Sequence, residues 1–298
     1  MTDLPPDLSA LRDEIDAIDT ELQKLLQRRA EVVGRVGKLK GKTSVIPLQP
    51  DREAMMMRRL VERHEGAFPK KVMIRMWREM LSATVGLQGP FSVAVFAPEN
   101  KPGTWDHARD YFGSFTPMVS YRSTGDVVKA VSDGSQSVGI LPMPDEEESY
   151  PWWRLLLGDE KRSPKIFARL PFGGQSNGRS ETEAFAIARL VRRPTGDDRT
   201  MLAVETSERI SRSGLNSALV DAGLKGSILG MWRADSDPES WLKLIDVEGF
   251  LDPADDSVQA FKAKVGQYVG SIYSVGSYAT PLSAESLQTA PLIAEDKD

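Results

Sequence analysis

The stretch LSALRDEIDAIDTELQKLLQRRAEVVGRVGKLKGK, residues 8–42, decides how the rest of the chain is read. It contains no proline. Leu8, Leu11, Ile15, Ile18, Leu22, Leu25, Leu26, Val32, Val33, Val36 and Leu39 recur at steps of three and four, which predicts one amphipathic helix. Asp7 or Ser9 can cap its start, Asp13 and Glu14 fall in its early turns, and Lys38, Lys40 and Lys42 close it, all in the sense the helix dipole favours. At 1.5 Å per residue, roughly 35 residues make a rod of about 50 Å. A small domain has no core long enough to bury such a rod. The pattern calls for a partner helix from a second chain.

The whole chain has 298 residues, 40% hydrophobic and 27% charged, which is the balance of a globular protein of two or three domains. It has no cysteine and only two histidines, His64 and His107. That excludes disulfides and thiolate metal sites and argues against a histidine-based metal site or triad, so no metal and no cofactor are expected. No apolar run reaches the length of a membrane span, and the start, MTDLPPDLSA, lacks the regions of a signal peptide. The expected place is the cytosol. Residues 1–90 carry 16 Lys/Arg against 13 Asp/Glu, and the remainder 22 against 30. A basic head suits an anionic partner. The acidic total and the lack of a basic recognition helix argue against nucleic acid.

Breaks in the pattern give the organisation. Pro47 and Pro50 force a loop after the rod, a second helix runs from Asp51 to about His64, and a third from Lys70 to Leu87. Gly86, Gly89 and Pro90 then end the helical segment, so a boundary is placed near residue 90. Short β-prone runs follow at Ser92–Ala97, Met118–Tyr121, Ser137–Leu141 and Lys165–Leu170. Helical stretches near Trp105–Phe112, Gly125–Ser132 and Tyr150–Leu157 lie between them, as in a small parallel α/β layer. Ala184–Val191 is read as a strand that opens the last domain. From Met201 the order is strand, helix, strand, strand, helix, strand, the ferredoxin-like arrangement. The expected divisions are 1–90, 91–183 and 184–280, with 281–298 a disordered tail. The fold class is multidomain α and α/β.

Chemistry concentrates in the helical head. Arg29 and Lys40 are 11 residues apart, which returns them to within roughly 20° of one face, amid the apolar seam. Arg12 lies 28 residues before Lys40, about 42 Å along the axis, too far for one small ligand to touch both. If two rods pack antiparallel about a two-fold axis, Arg12 of the partner subunit arrives at the Arg29/Lys40 site. Gln49, Arg52 and Glu53 open the second helix, while Thr84 and Gln88 share a face of the third. Such a set offers fixed donors with no nucleophile and no phosphate-cradling glycine loop. It suits a small dicarboxylate whose reaction needs holding and electrostatic stabilisation. The plain alternative is a set of solvated helix faces in a dimerisation module.

Leu11-Arg12, Leu25-Leu26-Gln27-Arg28-Arg29, Gly37 to Lys40, Asp51 to Glu53, and Thr84 to Gln88 follow one order over residues 8–88. In these the sequence resembles the all-helical chorismate mutases. The resemblance implies an intertwined three-helix dimer that rearranges chorismate to prephenate. It implies that Arg12 of the partner subunit and Arg29 bind the substrate carboxylates, and that Lys40 and Gln88 donate to the ether oxygen. Arg52, Glu53, Thr84 and Gln49 would belong to the substrate-binding region, with Glu53 on the ring hydroxyl. Gln49 stands where that family commonly has an aspartate.

The rest resembles, more faintly, the regions that follow this mutase in bifunctional enzymes. VAVFAPEN at 93–100 and VGILPMPD at 138–145 stand where prephenate dehydratases carry GPEGTFS-like and VPIEN-like turns. The place of their Thr-Arg-Phe motif reads Glu183-Ala184-Phe185, and about half the usual length precedes it, so no dehydratase activity is expected. Residues 184–280 resemble an ACT domain at Trp241–Gly249 and Val275–Tyr278, which implies a possible aromatic amino acid effector. Two alternatives stay open: a bifunctional mutase/dehydratase, and a non-catalytic helical dimerisation module serving an amino-acid sensor.

Overall fold

The structure, a computed structural model, describes residues 8–40, 46–99, 103–145, 148, 150–158, 163–175, 182–207, 210–233 and 239–289. Three helices come first: α1 (Leu8–Lys40), α2 (Pro50–Arg63) and α3 (Lys70–Gly86). The α1 rod runs 33 residues without a break, as its periodicity requires. Its last expected turn, residues 41 and 42, lies outside the described residues. Proline at N1 fixes the start of α2, with Asp51 and Glu53 in its first turn. It stops at His64, whose backbone is extended, just before Gly66 at φ 87°.

Among the described residues of the single chain, nothing covers the seam of α1. Leu8, Ile15, Ile18, Leu22, Leu25 and Leu26 are each at least half exposed. Burying one such side chain is worth about 1.5–3 kcal/mol, so this seam is a large apolar surface without a cover.

Beyond α3 the chain forms one nine-stranded sheet in the order β2-β1-β3-β5-β4-β9-β6-β8-β7. Its first part holds β1 (Val93–Phe96), α4 (Gly103–Phe112), β2 (Met118–Tyr121), α5 (Thr124–Ser132) and β3 (Val138–Pro142). Strands β2, β1 and β3 run parallel. A 3₁₀ turn at Trp152–Leu156, where a helix was expected, leads to β4 (Lys165–Leu170) and β5 (Ala184–Ala188). The second part holds β6 (Asp198–Ser207), α6 (Arg212–Asp221), β7 (Gly226–Arg233), β8 (Ser240–Glu248), α7 (Asp256–Val265) and β9 (Val269–Ala279). Its antiparallel order β9-β6-β8-β7 is the ferredoxin-like one read from the sequence.

The halves join where β4 lies parallel to β9, with Ile166 opposite Gly276. A Cβ at 276 would collide with the Ile166 backbone, so only glycine lets the strands approach this closely. Asp246, 1% exposed on β8, ties the join further. It accepts from Arg199 Nε at 3.0 Å and from Tyr278 Oη at 2.8 Å, and faces Arg169 of β4 at 3.6 Å.

In three places strand pairing and packing run across the expected divisions. Strand β5 does not open the last domain, because it pairs with β3 on one side and β4 on the other. By pairing, the break falls between Ala188 and Asp198. Nor is residue 90 a break in packing. Ala54, Met57, Val61, Ile74 and Val85 of α2 and α3 share one core with Phe91, Val93, Tyr111, Phe112 and Phe172. Arg58 of α2 reaches across this junction, donating to Thr195 Oγ1 at 2.8 Å and to the Asp197 carbonyl at 2.6 Å. Finally, the stretch 281–289 is ordered: Leu287 is buried, Leu282 N donates to the Phe172 carbonyl, and Lys70 Nζ donates to the Ser286 carbonyl. Residues 290–298 of the expected tail lie outside the described residues.

Candidate active site

Three elements converge near the last turns of α1. Arg29 on α1 is half-buried and donates through Nη1 to Thr84 Oγ1 of α3 at 3.4 Å. Thr84, itself buried, donates its hydroxyl to the Leu81 carbonyl at 2.9 Å. Two turns along α1, Gly37 lies against Gln88, so close that a Cβ at 37 would sit 3.3 Å from Gln88 Cγ. Among the described residues, Gln88 Nε2 meets the Thr84 carbonyl, at 3.4 Å. Both long bonds are weak, so the Arg29 and Gln88 donors are held in place yet available to a better acceptor.

α2 supplies the next side. Gln49, half-buried just before the helix, accepts the Glu53 backbone N–H on its carbonyl at 3.0 Å. Its side chain makes no capping bond. Arg52 is exposed, and its field reaches Arg29. Partial burial, first, and then Arg52 hold the Arg29 guanidinium below its ordinary pKa, with Glu53 opposing. Arg29 thus sits partly buried with a second guanidinium near it. An anion placed between them would be attracted by both charges.

Glu53 is buried and accepts from Arg78 Nη1 at 3.0 Å. Burial pushes its carboxyl above the usual range, and Arg78 pulls it back in part. Arg78, 3% exposed, is held over the Tyr111 ring at 3.8 Å and faces Phe172 at 5.2 Å. This arginine was not singled out from the sequence. The signal was there, since Ile74, Arg78, Leu81 and Val85 share one apolar stripe, where a lone charge needs an opposite one. Glu53 sits in the matching stripe of α2 with Met57.

The structure therefore brings together Arg29, Arg52, Glu53, Thr84 and Gln88. It leaves Arg12 apart: exposed, and 17 residues or about 26 Å up the rod from Arg29. Lys40 ends α1, and its side chain lies outside the described residues. Among the described residues no group of three or more acidic or histidine side chains is placed to hold a metal, and no helix is long and apolar enough to cross a membrane.

The model of the chorismate mutase type II family matches residues 11–89, the segment that builds this site. Among curated proteins, the bifunctional chorismate mutase/prephenate dehydratase of Aquifex aeolicus (strain VF5) is 30% identical over 151 residues, covering 48% of this chain and 40% of that protein. Its counterpart from Pseudomonas aeruginosa is 27% identical over 148 residues, covering 47% and 40%. The chain thus spans about two fifths of the length of these relatives. Among solved structures, a prephenate dehydratase in complex with L-Phe from Arthrobacter aurescens aligns over 68% of this chain and 93% of its own. That alignment has a TM-score of 0.45 at 12% identity.

Proposed function

We propose that this protein is a chorismate mutase, an isomerase that rearranges chorismate to prephenate on the route to aromatic amino acids. The observation that carries the reading is the meeting of Arg29, Arg52, Thr84 and Gln88 from three helices, inside the segment that matches the mutase family. The reaction is unimolecular and needs no nucleophile or proton transfer. The site has to hold the compact conformer and stabilise charge as the ether bond breaks. Arg29 and Arg52 offer positive charge for the two carboxylates. Gln88, with Lys40, donates to the ether oxygen. Gln88 is neutral, so its donation is independent of pH. Glu53, fixed by Arg78, takes the ring hydroxyl.

The working unit in this reading is a homodimer. The bare α1 seam supports it, and so does the distance from Arg12 to Arg29, since an antiparallel partner rod delivers its own Arg12 to the site. Residues from β6 to β9 are read as an ACT-like lobe with an aromatic amino acid as its possible effector, on their ferredoxin-like strand order.

A second reading keeps dehydratase activity, as the names of the relatives suggest. Glu183 speaks against it: in the place of the expected Thr-Arg pair it is bound to Arg169 Nη2 at 2.6 Å. The test is loss of chorismate, followed by ultraviolet absorbance, for the wild type beside Lys40→Ala and Gln88→Ala, with phenylpyruvate assayed before any acid step. Turnover that collapses about 10²–10³-fold in Gln88→Ala is the expected result. Phenylpyruvate made by the protein would establish the bifunctional enzyme. An intact dimer without turnover would leave a dimerisation module with a sensor.

A further inference from the structure

Between α3, α4 and the turn after β4 lies a cleft of about 500 Å³, a size typical of small-molecule sites. Its walls are apolar at Val72, Leu170 and Phe172 and basic at Lys71, Arg78 and His107. None of these residues is among those assigned to chorismate.

Two side chains in the wall are incompletely satisfied. Arg78 is 3% exposed and His107 6%, yet Arg78 Nη2 and His107 Nε2 have no hydrogen-bond partner among the described residues. A buried polar nitrogen without a partner carries its full desolvation penalty, which an incoming acceptor would relieve. Charge points the same way. Arg78 is balanced by Glu53, and Arg75, also in the wall, by Asp110. Arg75 also faces Glu79 at 3.8 Å, whereas Lys71 has no ion-pair partner among the described residues and is the cation of this wall left for a ligand.

We infer that this cleft binds a small carboxylate with an apolar or aromatic body, its oxygens taken by Arg78, His107 and Lys71 and its body laid against Phe172, Leu170 and Val72. Both nitrogens lie behind the wall, so the ligand reaches them as the covering side chains turn aside. Occupancy is felt at the mutase site, a step that rests on the reading of Glu53 given above. Arg78 holds Glu53 through Nη1, and a carboxylate on Nη2 draws the same guanidinium toward the cleft. The hold on Glu53 weakens, and chorismate turnover falls.

The full chain is titrated calorimetrically with 3-phenylpropanoate and, as a neutral control, 3-phenylpropanamide. The titrations are repeated on Lys71→Met and Val72→Trp, both exposed positions outside the mutase set, the second filling the cleft. The acid is expected to bind at least tenfold more tightly than the amide. Both variants are expected to weaken acid binding at least tenfold while keeping wild-type chorismate turnover. The acid is further expected to lower kcat/KM in the wild type and not in Val72→Trp. Absence of acid binding, equal binding of the amide, or undiminished binding by Val72→Trp overturns the site. Binding as expected with wild-type turnover unmoved overturns the coupling. A wild type without any turnover defeats the mutase reading instead, and the binding measurements still decide the cleft.

Discussion

Arg78 Nη1 donates to Glu53 Oε2 at 3.0 Å, joining α3 to α2 through opposite charges set in the apolar stripes of both helices. The arginine is clasped on its other side by Tyr111 and Phe172, which belong to the sheet half. A residue assigned to the substrate is thereby positioned from outside the helical segment.

Removing that arginine strands a buried carboxylate. Arg78→Met is expected to cost about 3–5 kcal/mol of stability, the usual cost of breaking a buried pair from one side. The drop is read as a fall in the urea midpoint at unchanged slope. An unchanged midpoint would mean that Glu53 finds another partner or takes up a proton.

The raised carboxyl of Glu53 sets a direction with pH. A carboxyl whose folded pKa lies above its unfolded value favours folding most when protonated, below the unfolded pKa, and that contribution is lost as pH rises through the folded pKa. Glu53→Gln cannot lose it. The stability of the wild type relative to Glu53→Gln should therefore fall as pH rises from about 4 toward neutrality. Paired urea titrations at several pH values measure this, and a gap that widens in favour of the wild type would reverse the assignment.

Gly37→Ala separates stability from turnover. Alanine improves helix propensity by about 1 kcal/mol. Its Cβ would press on Gln88 Cγ at 3.3 Å and Cα at 3.4 Å. The expected variant melts no lower than the wild type and turns chorismate over more slowly. Equal turnover would show that Gln88 has room to yield.

Mixing tests the shared site. Arg12→Ala and Arg29→Ala should each be inactive alone. Equal mixing with subunit exchange makes half the dimers heterodimers, each with one intact site, so about one quarter of wild-type activity should return. Mixtures that stay inactive would place Arg12 outside the site or deny the dimer.

Much of this was legible in the residues. The period of three and four in α1, the strands at 118–121 and 165–170, and the ferredoxin-like order beyond residue 200 follow from local pattern. What escaped depends on partners distant in sequence. Strand β5 reads AFAIA and is buried at every position, so it carries no alternation to say which sheet half takes it. Leu282 and Leu287 stand alone among polar residues, and only the groove beside α3 gives them a place. Arg78 could be flagged as a charge in an apolar stripe, but its pairing with Glu53 needed the angle between two helices.

The strand that joins the halves, β9, is synthesised well after its partner β4. Strand β4 leaves the ribosome roughly a hundred residues before β9, so at about 5–20 residues per second its outer edge waits about 5–20 s for a partner. Through that interval the helical head and the first half of the sheet exist with an open strand edge, the kind of surface that pairs with the wrong chain. Slower synthesis or lower expression temperature is therefore expected to change the soluble yield of this protein, measured as the soluble fraction of freshly made chain.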